Sequence, residues 1–147
     1  MKNLLILILL CSSLNISSQS TPKELLDSFF STYAESPEKA VRDLYATNKW
    51  TKVKKDNIEK VVQTINSLTE DFMGKYYGNE LIITKKLSQS FALYSYMIKY
   101  DRQPLRFIFK FYKPNDKWML FAFSFDDDLD DEIKEAAKLQ NLNFDKN

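Results

Sequence analysis

Leu105-Arg106-Phe107-Ile108-Phe109-Lys110-Phe111-Tyr112, then Lys113-Pro114-Asn115-Asp116, then Lys117-Trp118-Met119-Leu120-Phe121-Ala122-Phe123-Ser124-Phe125, reads as a β-hairpin. Apolar side chains recur at every second position on both arms, the period of a strand with one buried face. Pro114 presets φ, and Asn115 and Asp116 tolerate the dihedrals that reverse the chain. With residues 114–116 as the loop, Phe111 should face Met119, Phe109 should face Phe121, and Phe107 should face Phe123.

Working backward, residues 101–104 form a second turn, which sets Tyr100 opposite Leu105, Ile98 opposite Phe107 and Tyr96 opposite Phe109. Loop lengths of two or four residues leave the same side chains on the same face. A third turn at residues 87–90 adds Leu81 and Ile83 to that face. Residues 76–125 thus read as four consecutive antiparallel strands holding fourteen of the chain's twenty-one aromatic residues. One face, with Tyr94, Tyr96, Tyr100, Phe107, Phe109, Phe111, Phe121, Phe123 and Phe125, must be buried. The other carries Phe91, Leu93, Ser95, Met97, Lys99, Arg106, Ile108, Lys110, Trp118, Leu120 and Ser124. It is more apolar than a freely solvated sheet face. A second copy of the chain would cover it, with Phe91, Ile108, Trp118 and Leu120 at the interface, unless Lys and Arg stems shield it instead.

The flanking segments have helical spacing. Thr21-Pro22-Lys23-Glu24 is a capping box with proline at the first helical position, followed by Leu25, Leu26, Phe29, Phe30 and Tyr33. Ser36-Pro37-Glu38 opens a second helix with Ala40, Val41, Leu44 and Tyr45 on one side, ending near Asn48. Residues 50–55 form a basic connection or a short strand. Asp56 with Glu59 should cap a third helix whose stripe runs Ile58, Val61, Val62, Ile65, Leu68 and Phe72, stopped by Gly74. After the strands, an acidic run from Asp126 to Glu132 leads into a short last helix, with residues 141–147 as a frayed tail. The expected fold class is α+β: three N-terminal helices on a curved, cone-like, four-stranded antiparallel sheet, plus a short C-terminal helix.

Met1-Lys2-Asn3 and the seven apolar residues from Leu4 to Leu10 read as a signal peptide over residues 1–18, too short to span a bilayer. The chain is therefore expected to be exported, to a periplasm or beyond the cell. Cys11 offers a lipoprotein alternative, although a lipidated cysteine normally follows a smaller residue than Leu10. The whole chain has 21 Lys and Arg against 20 Asp and Glu, and only Lys2 lies in the leader, so the remainder is neutral. That balance gives no support to a nucleic-acid partner or to an anionic membrane surface as a partner. Residues 21–140 form one domain, held by its core without disulfides.

The closing strands, in particular Tyr100-Asp101-Arg102-Gln103-Pro104-Leu105-Arg106-Phe107 and Phe111-Tyr112-Lys113-Pro114-Asn115-Asp116-Lys117-Trp118, resemble the nuclear transport factor two-like, cystatin-like superfamily, over about residues 21–140. More narrowly, they resemble small exported bacterial members. The resemblance implies a cone whose sheet and helices enclose a pocket, and often a dimer through the back of the sheet. Isomerases, dehydratases and binding modules share that fold, so it chooses no function.

The chain has no histidine, which removes the usual nucleophile–base pairs and most zinc sites. No cofactor or metal is expected. The acidic run sets Asp126, Asp128 and Asp130 at calcium-loop spacing, but Asp131 stands where glycine is needed. The candidate ligand wall is Tyr94, Tyr96, Tyr100, Phe107, Phe109, Phe121 and Phe123, suited to a small hydrophobic ligand. Arg102 and Arg106 are the candidate anion-binding pair. The functional expectation is a non-enzymatic binding or interaction domain. The alternative is an isomerase or dehydratase with Asp101 or Glu70 as base beside a pocket tyrosine.

Overall fold

A computed structural model describes residues 20–144. The leader expected over residues 1–18, Cys11 included, and the last three residues lie outside the described residues. The chain is α+β. Helices α1 (Pro22–Tyr33), α2 (Pro37–Ala46), α3 (Lys55–Asn66) and the single turn α4 (Glu70–Met73) precede an antiparallel meander. Its strands are β1 (Tyr76–Ser88), β2 (Phe91–Tyr100), β3 (Leu105–Tyr112) and β4 (Met119–Asp126), in the order β1-β2-β3-β4 with both edges open, and α5 (Leu129–Phe144) follows.

The first helix forms as its sequence dictates. The Thr21 hydroxyl accepts from the Glu24 amide while the Glu24 carboxylate accepts from the Thr21 amide at 2.7 Å, with Pro22 in the first turn. Its buried face, Leu26, Phe29, Phe30 and Tyr33, lies on the sheet, and α2 adds Ala40, Val41 and Leu44. Phe107, Phe109 and Phe111 are completely buried beneath them.

Three expectations need correction. The third helix is not one piece: α3 ends at Asn66, and α4 begins at Glu70 after three intervening residues. The break falls where Ser67 donates its hydroxyl back to the Thr64 carbonyl at 2.7 Å. Phe72, expected on the apolar stripe, is 52 % exposed. Nor do Asp56 and Glu59 cap α3. A 3-10 helix (Lys49–Lys54) runs directly into it, so Lys54 holds the cap position without a side-chain bond, and Glu59 is drawn to Arg42. At the other end, the last helix is not short: α5 runs for 16 residues, from Leu129 to Phe144.

The sheet register also departs from expectation. Between β2 and β3 the pairing is shifted by two residues: Ile98 meets Leu105, Tyr96 meets Phe107 and Tyr94 meets Phe109. An even shift preserves the faces, so Tyr94, Tyr96 and Tyr100 do share the side of Phe107 and Phe109. On β4 the faces change. Phe111 pairs with Leu120 and Lys110 with Ala122, leaving Phe121 as the extra residue of a bulge. Leu120 therefore points into the core and is fully buried, whereas Phe121 points out and is 57 % exposed. The expected places of Leu120 at the back-face interface and Phe121 in the ligand wall are thus exchanged.

The bulge has a visible partner. The Asn48 side-chain amide donates to the Leu120 carbonyl at 2.9 Å, and the Leu120 amide donates to the Thr47 hydroxyl at 3.0 Å. The segment after α2 thereby satisfies both backbone groups of an edge-strand residue and fixes its side chain inward. Edge strand β1 carries three register irregularities of its own, at Tyr76/Asn79, Leu81/Ile83 and Lys86/Ser88. The second turns Ile83 to the back face opposite Ser95. Leu81, although opposite Tyr96, lies beyond the helices and is 54 % exposed.

Candidate binding cleft

The tyrosines expected to line a cavity pack instead. The Tyr96 ring lies 4.8 Å from Phe30 and the Tyr94 ring 6.0 Å from Phe111. Tyr100 shares a hydrogen bond of 2.8 Å with the Tyr33 hydroxyl. Burial, and then the neighbouring Tyr100, push the Tyr33 phenol far above its ordinary pKa, and burial also raises Tyr94, Tyr96 and Tyr100. These phenols stay protonated at neutral pH. Phe107, Phe109 and Phe123 fill the space between them and α1, with the Phe109 and Phe123 rings stacked at 5.0 Å.

Arg102 and Arg106 do not converge. Arg106 is clasped by Asp126, with bonds of 2.9 and 3.0 Å, and by Glu132 at 2.5 Å, so its charge is already met by two carboxylates. Arg102 lies over the Phe72 ring at 4.8 Å and donates to the Phe72 carbonyl. On the back face, Phe91 meets the outward Phe121 at 5.4 Å, and Ile108 is half-buried opposite Ser95 and Ser124. Trp118 is half-buried under the Lys113 ammonium.

No carboxylate is buried among the described residues. Asp101 and Glu70 are both exposed. The Asp101 carboxyl is held below its ordinary range, first by the Lys75 amide and then by the Tyr77 hydroxyl. Glu38 is lowered by Asn66 and Arg42, and Glu59 by Arg42. Asp126 serves Arg106 and accepts from the Asp128 amide. Among the described residues no cluster of acidic or thiol side chains could hold a metal ion.

The open space lies elsewhere, around the 3-10 helix. Asn48 caps it by accepting from the Trp50 amide at 3.0 Å, and the Thr51 hydroxyl bonds to the Tyr45 and Asn48 carbonyls. Those bonds tie the connection to the end of α2. On one side of it is a cleft of about 540 Å³ between α2 and α3, floored by Tyr45, Ala46 and Ile58 and rimmed by Lys49, Lys52 and Lys55. Arg42 closes one end in a bidentate pair with Glu59 at 2.7 and 2.8 Å, while Glu38 also binds Arg42 and Asn66. On the other side a second cleft of about 450 Å³ runs between Trp50, Val61, Phe121 and Phe123. Comparisons with protein-family models, curated proteins and solved structures give no match.

Sequence reasoning missed these clefts because it assigned Tyr45, Ile58 and Val61 to core-facing helix stripes, and spacing does not show that the 3-10 helix leaves open space beside them. One signal was present: Trp50 stands in a basic stretch where neither a helix nor a strand claims an aromatic residue.

Proposed function

We propose that the chain is an exported, non-enzymatic binding or interaction domain that accepts a small hydrophobic ligand in the cleft between α2, the 3-10 helix and α3. The observation that carries this reading is the cleft itself: about 540 Å³, with an apolar floor of Tyr45, Ala46 and Ile58 and polar groups at its edge. The cone-like curvature of the sheet and membership of the nuclear transport factor two-like superfamily belong to the same proposal, supported by the order of helices followed by an antiparallel meander.

A ligand that seats there should raise the melting temperature, by the equivalent of about 2.7 kcal/mol at a hundredfold excess over Kd. Ala46→Trp places an indole in the cleft from an exposed position. It should leave folding unchanged and weaken the ligand more than tenfold. A broad panel of hydrophobic metabolites with no thermal shift, or a hit indifferent to Ala46→Trp, rejects the site.

The back of the sheet is proposed as a homodimer contact, now with Phe121 beside Phe91 in place of Leu120. Phe121→Asp changes an exposed ring and should convert a dimer to a monomer in sedimentation. A wild-type protein that sediments as a monomer at high concentration removes the interface.

A further inference from the structure

We propose that the 3-10 helix is a docking patch for an anionic lipid surface. Although the chain without its leader is neutral overall, charge is not evenly spread. Lys49, Lys52, Lys54 and Lys55 fall within seven residues that contain no carboxylate. None of the four is in an ion pair among the described residues. Between them stand Trp50, 65 % exposed, and Val53, 83 % exposed. The segment buries no residue of its own, so its two apolar side chains contribute nothing to the core.

Helix geometry arranges them. Three residues per turn bring positions three apart into line. Trp50 and Val53 form one row and Lys49 and Lys52 the next, while the row of Thr51 and Lys54 is tied down through the Thr51 hydroxyl. The apolar row therefore faces solvent with cations alongside it, the reverse of a helix that packs on a core. An indole with a neighbouring ammonium suits the headgroup level of a bilayer, and the unpaired lysines suit its negative surface. The patch shares Lys49, Lys52 and Lys55 with the rim of the ligand cleft, whereas Trp50, Val53 and Lys54 do not line that cleft.

The test uses the full chain carrying Trp118→Phe, which leaves Trp50 as the only indole, with circular dichroism to establish that the variant folds. Trp50 emission should shift to the blue on phosphatidylglycerol–phosphatidylcholine vesicles but not on pure phosphatidylcholine, and the shift should disappear in high salt. Lys52→Glu with Lys54→Glu should lower the partition by roughly tenfold or more. Vesicle association with an unshifted Trp50 would mean that the leader alone holds the chain and overturns the proposal. An equal shift on neutral vesicles, or indifference to the lysine reversals, overturns it too. The same shift with soluble polyglutamate would assign the patch to acidic polypeptides instead.

Discussion

Phe109→Ala should cost about 3–5 kcal/mol of folding stability, the largest loss expected from a single truncation in this chain. The ring has no exposed surface and is held on several sides: edge-on to Phe29 at 5.1 Å and Phe30 at 5.8 Å, stacked on Phe123 at 5.0 Å, and 6.1 Å from Tyr96. Removing it forfeits both the transfer energy and the contacts of the cavity wall, which neighbouring rings cannot close up to replace. Against a total stability of about 5–15 kcal/mol, such a loss brings a domain of this size near unfolding at 37 °C. Phe121→Ala is the control. Since that ring is outside the core, its truncation should change stability by under about 1 kcal/mol in the monomer. Urea unfolding followed by circular dichroism measures both. Equal losses at the two positions would mean that the β4 bulge is misplaced and that Phe121 is inside.

Gly74→Ala is the second large effect, at about 3 kcal/mol. Gly74 has φ +75° and ψ −169°, a region that costs other residues about 1–3 kcal/mol. An added methyl would also lie 2.4 Å from the Asp101 Cβ and 2.9 Å from its carboxylate. Asp101 cannot simply swing away. Its carboxylate accepts from the Lys75 amide at 2.8 Å, its own amide donates to the Lys75 carbonyl, and the Arg102 amide donates to the Met73 carbonyl. The close approach thus locks the end of α4 to the β2–β3 turn. Adding Asp101→Gly should recover the clash but not the backbone strain, so the double variant should regain only part of the loss. The carboxyl is held below its unfolded value. Its contribution is therefore present above the ordinary carboxylate range and is lost as pH falls through the lower folded value. A Gly74→Ala protein with the wild-type urea midpoint contradicts the close approach.

The parts of the fold legible in the sequence are those decided by nearest neighbours. The Thr21 capping box forms from four consecutive residues, and the shared face of Tyr94, Tyr96, Phe107 and Phe109 survives a two-residue error in loop length because the strand period is two. What could not be read is decided by distant partners. Leu120 turns inward because Thr47 and Asn48, more than seventy residues earlier, bind its backbone. Likewise Glu59 leaves its expected capping role for Arg42 on another helix. The α3–α4 break was hidden for a different reason: the apolar period continues through Ser67 and Thr69, so spacing alone does not register the missing turn. A tyrosine-rich strand face looks the same in sequence whether it lines a cavity or fills one, and here helix α1 contributes Phe29, Phe30 and Tyr33 to fill it.

The irregular path of β1 bears on how this open edge resists pairing with the edge of another sheet. That strand is thirteen residues long and exposes Leu81 and Leu87, so a straight version would present a continuous row of unpaired amides and carbonyls to any other open edge. Three interruptions of its pairing spoil the repeat, Gly78 lies at one of them, and Lys85 and Lys86 bring two like charges to the approach. Fibre growth by edge-to-edge addition is thereby resisted in the very strand where the helices give no cover.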